Sequence, residues 1–264
     1  MIDRQLVLER IKYLRPIDDD FMRCMFRDNI ALAQVTLRLI TGIDDLVVTE
    51  LFPQRDEKHI LARSVILDAL CRDSLKRVYD IEVQRADSGA GKKRARYHSS
   101  VIDVDNLSAG QDFDELPDSF TIFITENDVV GRGLPVYRID RRFEDNGELF
   151  GDGSHILYVN GAYTGSDGIG MLMHDFRCAV PDEMYIKEFR DTAKMLKETK
   201  EGAETMCKLF EDLAMEIAEK HAYEQKIEFA KRMIEDGELN VEKISEYLQL
   251  PVSTVRELAE KKSA

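Results

Sequence analysis

The stretch Tyr79-Asp80-Ile81-Glu82-Val83-Gln84-Arg85 sets two acids and an amide at alternate positions. Side chains alternate faces along a strand, so Asp80, Glu82 and Gln84 share one face while Ile81 and Val83 take the other. Two readings follow. The polar face is the solvent side of a sheet, or Glu82 and Gln84 serve one reaction centre. In the second reading the carboxylate is a metal ligand and the amide a partner for a water on that metal.

Asp68 is the other informative acid. It interrupts the apolar run Val65-Ile66-Leu67-Asp68-Ala69-Leu70-Cys71. A carboxylate inside a buried strand costs on the order of several kcal/mol unless it is paired, protonated or bound to a metal. A salt bridge to Arg63 would answer that cost, and so would a divalent cation. If the strands of Asp68 and Glu82 are neighbours, both carboxylates fall on one face of the sheet. Held together they repel, which raises one pKa. A hard cation such as Mg²⁺ removes the repulsion and prefers oxygen ligands, and the backbone carbonyl of Val83 supplies another.

A basic run, Lys92, Lys93, Arg94 and Arg96, precedes Tyr97, Val101, Val104 and Leu107, which recur at helical spacing. Cations at a helix N-terminus oppose the helix dipole. They suit a phosphate site, where free N–H groups already point at an anion. The same run is equally a solvated loop. The spacing of Tyr97 with Val101 places it in a core rather than against a nucleobase. His59, His98, His155, His174 and His221 show no metal-ligand spacing, and Cys24, Cys71, Cys178 and Cys207 form no C-x-x-C pair.

Positioning these residues falls to a series of elements. Residues 18–41 read as a helix with an acidic start at Asp18, Asp19 and Asp20 and a stop at Gly42. "DLVVTELF", "RSVILDALC" and "KRVYDIEVQR" read as three strands joined by short turns, a meander or hairpin. A helix follows from the basic run, with Gly110 as its cap, then the strand "SFTIFITEN". Two more strands, "PVYRIDRRF" and "SHILYVNGAY", flank a turn-rich link. From about Asp182 the pattern is helical, with a soft boundary near residue 180. The segments "NVEKISEYLQ" and "VSTVRELAEK" are separated at Leu250–Pro251.

The chain has 264 residues, with 51 acidic against 37 basic side chains and a net charge of -14. Its overall field does not draw it to nucleic acid, so any such contact must use a local basic patch. No apolar run approaches the roughly 20 residues of a membrane span, and the charged N-terminus lacks a signal-peptide centre. The composition reads as a soluble, cytoplasmic chain with reduced thiols and no membrane partner.

The segments "RSVILDAL", "YDIEVQRAD", "KKRARYHSSVIDVDNL", "FDELPDSFTIFITENDVVGRGLPVYRIDR" and "LFGDGSHILYVNGAY" together resemble the PD-(D/E)XK nuclease family transposases, relatives of the recombination-promoting nucleases. The likeness runs from about Asp18 to Cys207. It implies an α/β fold, a restriction-endonuclease-like core with a mixed central sheet in the order helix, three strands, helix, strand. An all-helical C-terminal tail follows. The implied division is a nuclease-like domain over 1–180 and a helical region over 181–264, with a helix-turn-helix at 240–262. Arg256, Lys261 and Lys262 there face Glu257 and Glu260, which favours packing or oligomerisation over groove reading.

By position in the family motif, Asp68 and Glu82 bind Mg²⁺, with Mn²⁺ as a substitute and Val83 as a backbone ligand. Gln84 stands where lysine is usual; this family is similar in using glutamine. The resemblance implies a Mg²⁺-dependent DNA endonuclease of a transposase or recombination system. Asp68, Glu82 and Gln84 would be catalytic, and Arg85, Lys92, Lys93, Arg94 and Arg96 would meet the DNA backbone. Cutting two strands would need two sites, which a homodimer would supply. The alternative is a catalytically inactive mobile-element relic that binds DNA or a protein; the acidic balance and Gln84 support it.

Overall fold

A computed structural model describes residues 9–57, 65–237 and 239–263. Two compact units emerge, Met1–Cys207 and Lys208–Ala264. In the first, helices α1 (Asp19–Phe26) and α2 (Ile30–Thr41) precede strands β1 (Val48–Glu57), β2 (Val65–Asp73) and β3 (Val78–Gln84). Helix α3 (Lys92–Asn106) leads to β4 (Ser119–Thr125), then β5 (Val136–Ile139) and β6 (Ser154–Asn160). Helices α4 (Gly168–Arg177) and α5 (Lys187–Glu198) follow.

The strands form one six-stranded mixed sheet in the order β1-β2-β3-β4-β6-β5, so the fold is α/β. The first three strands are an antiparallel meander, as their short turns predict. Strand β4 lies parallel to β3, because α3 carries the chain back across the sheet. Strand β6 is parallel to β4, and β5 closes the far edge antiparallel to it. The parallel register aligns Gln84 with Thr125 and Thr125 with Asn160, so three strand ends form a row.

The helix expected over 18–41 is two helices. Asp28 has φ 55 between them, a left-handed residue that an α-helix cannot continue through. Gly42 does end the second, with φ 73. Helix α3 ends at Asn106 with Leu107 as C-cap. Gly110, φ 90, therefore belongs to the following turn rather than to the helix end.

Strand β3 is the central one. Val78, Tyr79, Asp80, Ile81, Glu82 and Val83 are all buried. Leu70 and Val78 pack with Val101 and Ile102 of α3, with Tyr97 against them, so α3 covers the face that carries Asp80 and Glu82. Helix α1 also packs on β1, β2 and β3. A strand with both faces covered is the pattern of a parallel α/β sheet. It removes the solvent-side reading of the polar face.

The second unit holds the latter part of helix α6 (Lys200–Asp236), then α7 (Val241–Leu248) and α8 (Val252–Ser263). Ala230, Ile244, Leu250 and Val255 form its core. Asn240 caps α7 by accepting from the Lys243 N–H at 2.9 Å, and Gln249, φ 52, turns the chain into α8. Among the described residues no helix is long and apolar enough to cross a membrane.

Candidate functional site

Strand β3 and the first turns of α3 meet in a polar centre enclosed by the core. Asp80 and Glu82 are two residues apart on one strand face, and both are 0% exposed. His98 approaches from α3 and is 2% exposed. The reason is local: α3 buries Ala95, His98, Ser99, Val101 and Ile102, an i, i+3, i+4, i+7 stripe in which His98 takes a core position. Arg94 lies one turn before His98 and shares that side of the helix.

The hydrogen bonds fix the proton on His98. Arg94 Nε donates to His98 Nε2 at 3.3 Å. An arginine nitrogen only donates, so Nε2 carries the lone pair and the imidazole is neutral. The ring proton is then on Nδ1 and is donated to Asp80 Oδ2 at 3.2 Å, with Glu82 Oε1 at 3.6 Å. The Phe123 ring meets the imidazole edge-on at 5.6 Å and helps hold its plane.

Arg94 spans the rest of the centre. Its Nη2 donates to Glu82 Oε2 at 3.2 Å and its Nη1 to Gln84 Oε1 at 3.4 Å. The Gln84 amide Nε2 stands 3.5 Å from Glu82 Oε2. The other Asp80 oxygen, Oδ1, is buried and accepts no hydrogen bond among the described residues. Burial pushes the Asp80 carboxyl above its ordinary value, against the hydrogen bond from His98 and the nearby charge of Arg94.

Potential ligand atoms of Asp80, Glu82 and His98 all lie within 4.8 Å of one another. Two carboxylates and an imidazole suit Mn²⁺, and the carboxylates alone suit Mg²⁺. A buried carboxylate oxygen with no donor is what a cation at this point would satisfy. The residues therefore fit a divalent ion.

The sequence-derived candidates fall into three groups. Glu82, Gln84 and Arg94 are brought together. Asp68 lies in β2, one position before the pair Ala69–Ile81; its side chain lies outside the described residues, as do Arg63 and His59. Val83 is buried on the opposite face from Glu82. Arg85 sits in a closed ring of charges at the strand end: it contacts Asp18 at 3.0 Å and Glu126 at 3.4 Å, and Arg15 contacts the same two acids at 3.1 and 3.2 Å. Lys92, Lys93 and Arg96 are exposed and pair with no acid among the described residues. Helix α3 begins at Lys92 with Gly91 as N-cap, no side-chain cap and no acid in its first turn.

Asp80 and His98 are the residues that sequence reasoning passes over. Along the chain, positions 80 and 98 show no metal-ligand spacing. The available signal was the helical stripe: a histidine on the apolar side of a helix that directly follows an acid-bearing strand.

Comparison with protein families, curated proteins and solved structures gives no match to this chain.

Proposed function

We propose that this protein is a divalent-metal-dependent DNA endonuclease of a transposase or recombination system, on a restriction-endonuclease-like core. The observation that carries the reading is the Asp80 Oδ1 oxygen, buried without a donor among the described residues, beside the second buried carboxylate, Glu82. Glu82 and Asp80 would hold Mg²⁺ or Mn²⁺, with Asp68, which the family resemblance implies, and the Val83 carbonyl as further ligands. A bound cation would lower the pKa of a water and offset charge on the attacked phosphodiester.

The chain's own residues supply the remainder. Gln84 presents an amide two residues from Glu82 and orients a water. His98, through its Nδ1–H, keeps Asp80 turned toward the centre. Lys92, Lys93 and Arg96 meet the DNA backbone at the uncapped start of α3, where free N–H groups and cations both favour phosphate. Cutting both strands calls for two chains, each with one centre.

The second reading is a silent DNA- or protein-binding relic. Arg94 favours it, because the ion pair with Glu82 already neutralises the carboxylate that a cation would need. Calorimetry with Mn²⁺ and nicking of supercoiled plasmid separate the two. Wild type should bind and nick, and Glu82→Ala should do neither. A wild-type chain that binds neither ion and leaves the plasmid intact would overturn the nuclease reading.

A further inference from the structure

We infer that Arg94 is an exchangeable counter-ion: it occupies Glu82 until a divalent cation takes that carboxylate, and its guanidinium then turns to the substrate's phosphate. The inference rests on the metal-dependent reading above and assigns Arg94 a part in that centre rather than on the outer DNA track.

Arg94 stands apart from the rest of the basic run. Lys92, Lys93 and Arg96 are exposed and without acid partners among the described residues. Arg94 instead sends Nε, Nη1 and Nη2 to His98, Gln84 and Glu82. Yet its side chain is 42% exposed while that of Glu82 is 1% exposed. The guanidinium thus lies at the mouth of the centre, with one side on buried acid and the other open. A long, flexible side chain at such a boundary can leave the carboxylate by bond rotations alone.

Charge makes the exchange favourable. Two carboxylates and one guanidinium leave the centre short of positive charge. A divalent ion balances both acids, and the guanidinium becomes surplus. A phosphodiester carries one negative charge, and a planar fork of N–H donors matches its oxygens. Gln84 contributes no charge at all, so among these contacts Arg94 is the side chain able to meet charge developing on the phosphate.

The exchange makes two predictions of opposite sign. Removing Arg94 takes a competing cation off Glu82, so metal affinity should rise. It also takes a cation from the reacting phosphate, so cleavage should fall. A residue that merely braces the fold would weaken both. The test uses the full chain and three proteins: wild type, Arg94→Ala and Arg94→Gln, the last keeping hydrogen bonds without charge. Calorimetry with Mn²⁺ alone, without DNA, should show both variants binding about 1.5- to 5-fold tighter, the range expected for losing a half-exposed ion pair. Single-turnover nicking at saturating Mn²⁺ should be about 100- to 1000-fold slower for both.

Equal or weaker Mn²⁺ binding by both variants overturns the exchange, whether or not any protein nicks DNA. Tighter binding with unchanged nicking overturns the phosphate contact. Wild type that binds no Mn²⁺ removes the underlying reading and this inference with it, while wild type that binds and nicks beside variants of unaltered affinity removes the inference alone.

Discussion

Replacing Asp80 by asparagine should make the metal-free protein more stable at neutral pH. The carboxylate is fully buried, one oxygen has a single imidazole donor, and the other has none among the described residues. Relief of such a charge is worth about 2–4 kcal/mol. Against this, the charge-assisted bond from His98 becomes a neutral one, and the new amide N–H has no acceptor, together about 1–2 kcal/mol. At the midpoints of those ranges the net is a gain of about 1.5 kcal/mol. For a unit the size of Met1–Cys207 this moves the melting midpoint up by about 2–8 °C.

The sign of the pH dependence follows from the raised Asp80 pKa. A carboxyl raised by burial binds its proton more tightly when folded. The stability this brings is fully present below the ordinary value of 3.8 and is lost as the pH rises through the raised one. Asparagine does not titrate, so the gap between variant and wild type should be small near pH 4 and open toward neutrality. Added Mn²⁺ should reverse the order, since wild type alone keeps both carboxylates. Scanning calorimetry in chelator suits a chain without tryptophan. A variant that melts below wild type at neutral pH in chelator, or by a margin that ignores pH, would refute the argument.

Gly89→Ala drives a methyl into Gln84 Oε1, the movable end of a side chain. It should leave stability within about 1 kcal/mol and metal binding intact, and slow nicking by about 10- to 1000-fold, as Gln84→Ala should; nicking assays and melts check both. Alanine at Lys93 and Arg96 should weaken binding to every DNA sequence alike and reduce the salt slope by about two charges, read from titrations at several ionic strengths. Thiol titration at mild alkaline pH should find one fast cysteine, Cys207. Cys24, Cys71 and Cys178 are buried, with burial pushing the Cys24 thiol up to about 12 and raising the other two.

Much of the scaffold is legible because its signals are local. The β-branched runs around Val48, Val65, Val78 and Ser119 read as strands from composition, and the break at Leu250–Pro251 separates two helices as expected. Asp28 is different: the Asp-Asn pair in "RDNIAL" carries a turn and N-cap signal, but reading 18–41 by its helical character alone passes over it, so the two helices read as one. Whether the polar face of β3 is wet or interior stays open along the sequence, because period-two alternation does not say what lies over a face. Only the position of α3 makes that face an interior. For the same reason the pairing of Glu82 with Gln84 is visible along one strand, whereas His98 reaches Asp80 only after the chain folds back. In the sequence Arg94 is one member of a charge run. Its helical phase, one turn from His98, sets it apart from its neighbours.

The row formed by Gln84, Thr125 and Asn160 has a consequence for how such a protein can diversify. Three successive connections leave the sheet side by side at that row, and the first already touches the second through Arg85 and Glu126. Strand pairing is complete before each connection begins. Insertions or exchanges there can reshape the ground beside Gln84 without altering the register beneath it. The strands supply a constant frame and the connections a variable rim. A lineage could thereby change what it accepts while inheriting the same buried acids, and grafting the connections of one variant onto the sheet of another should transfer preference without transferring stability.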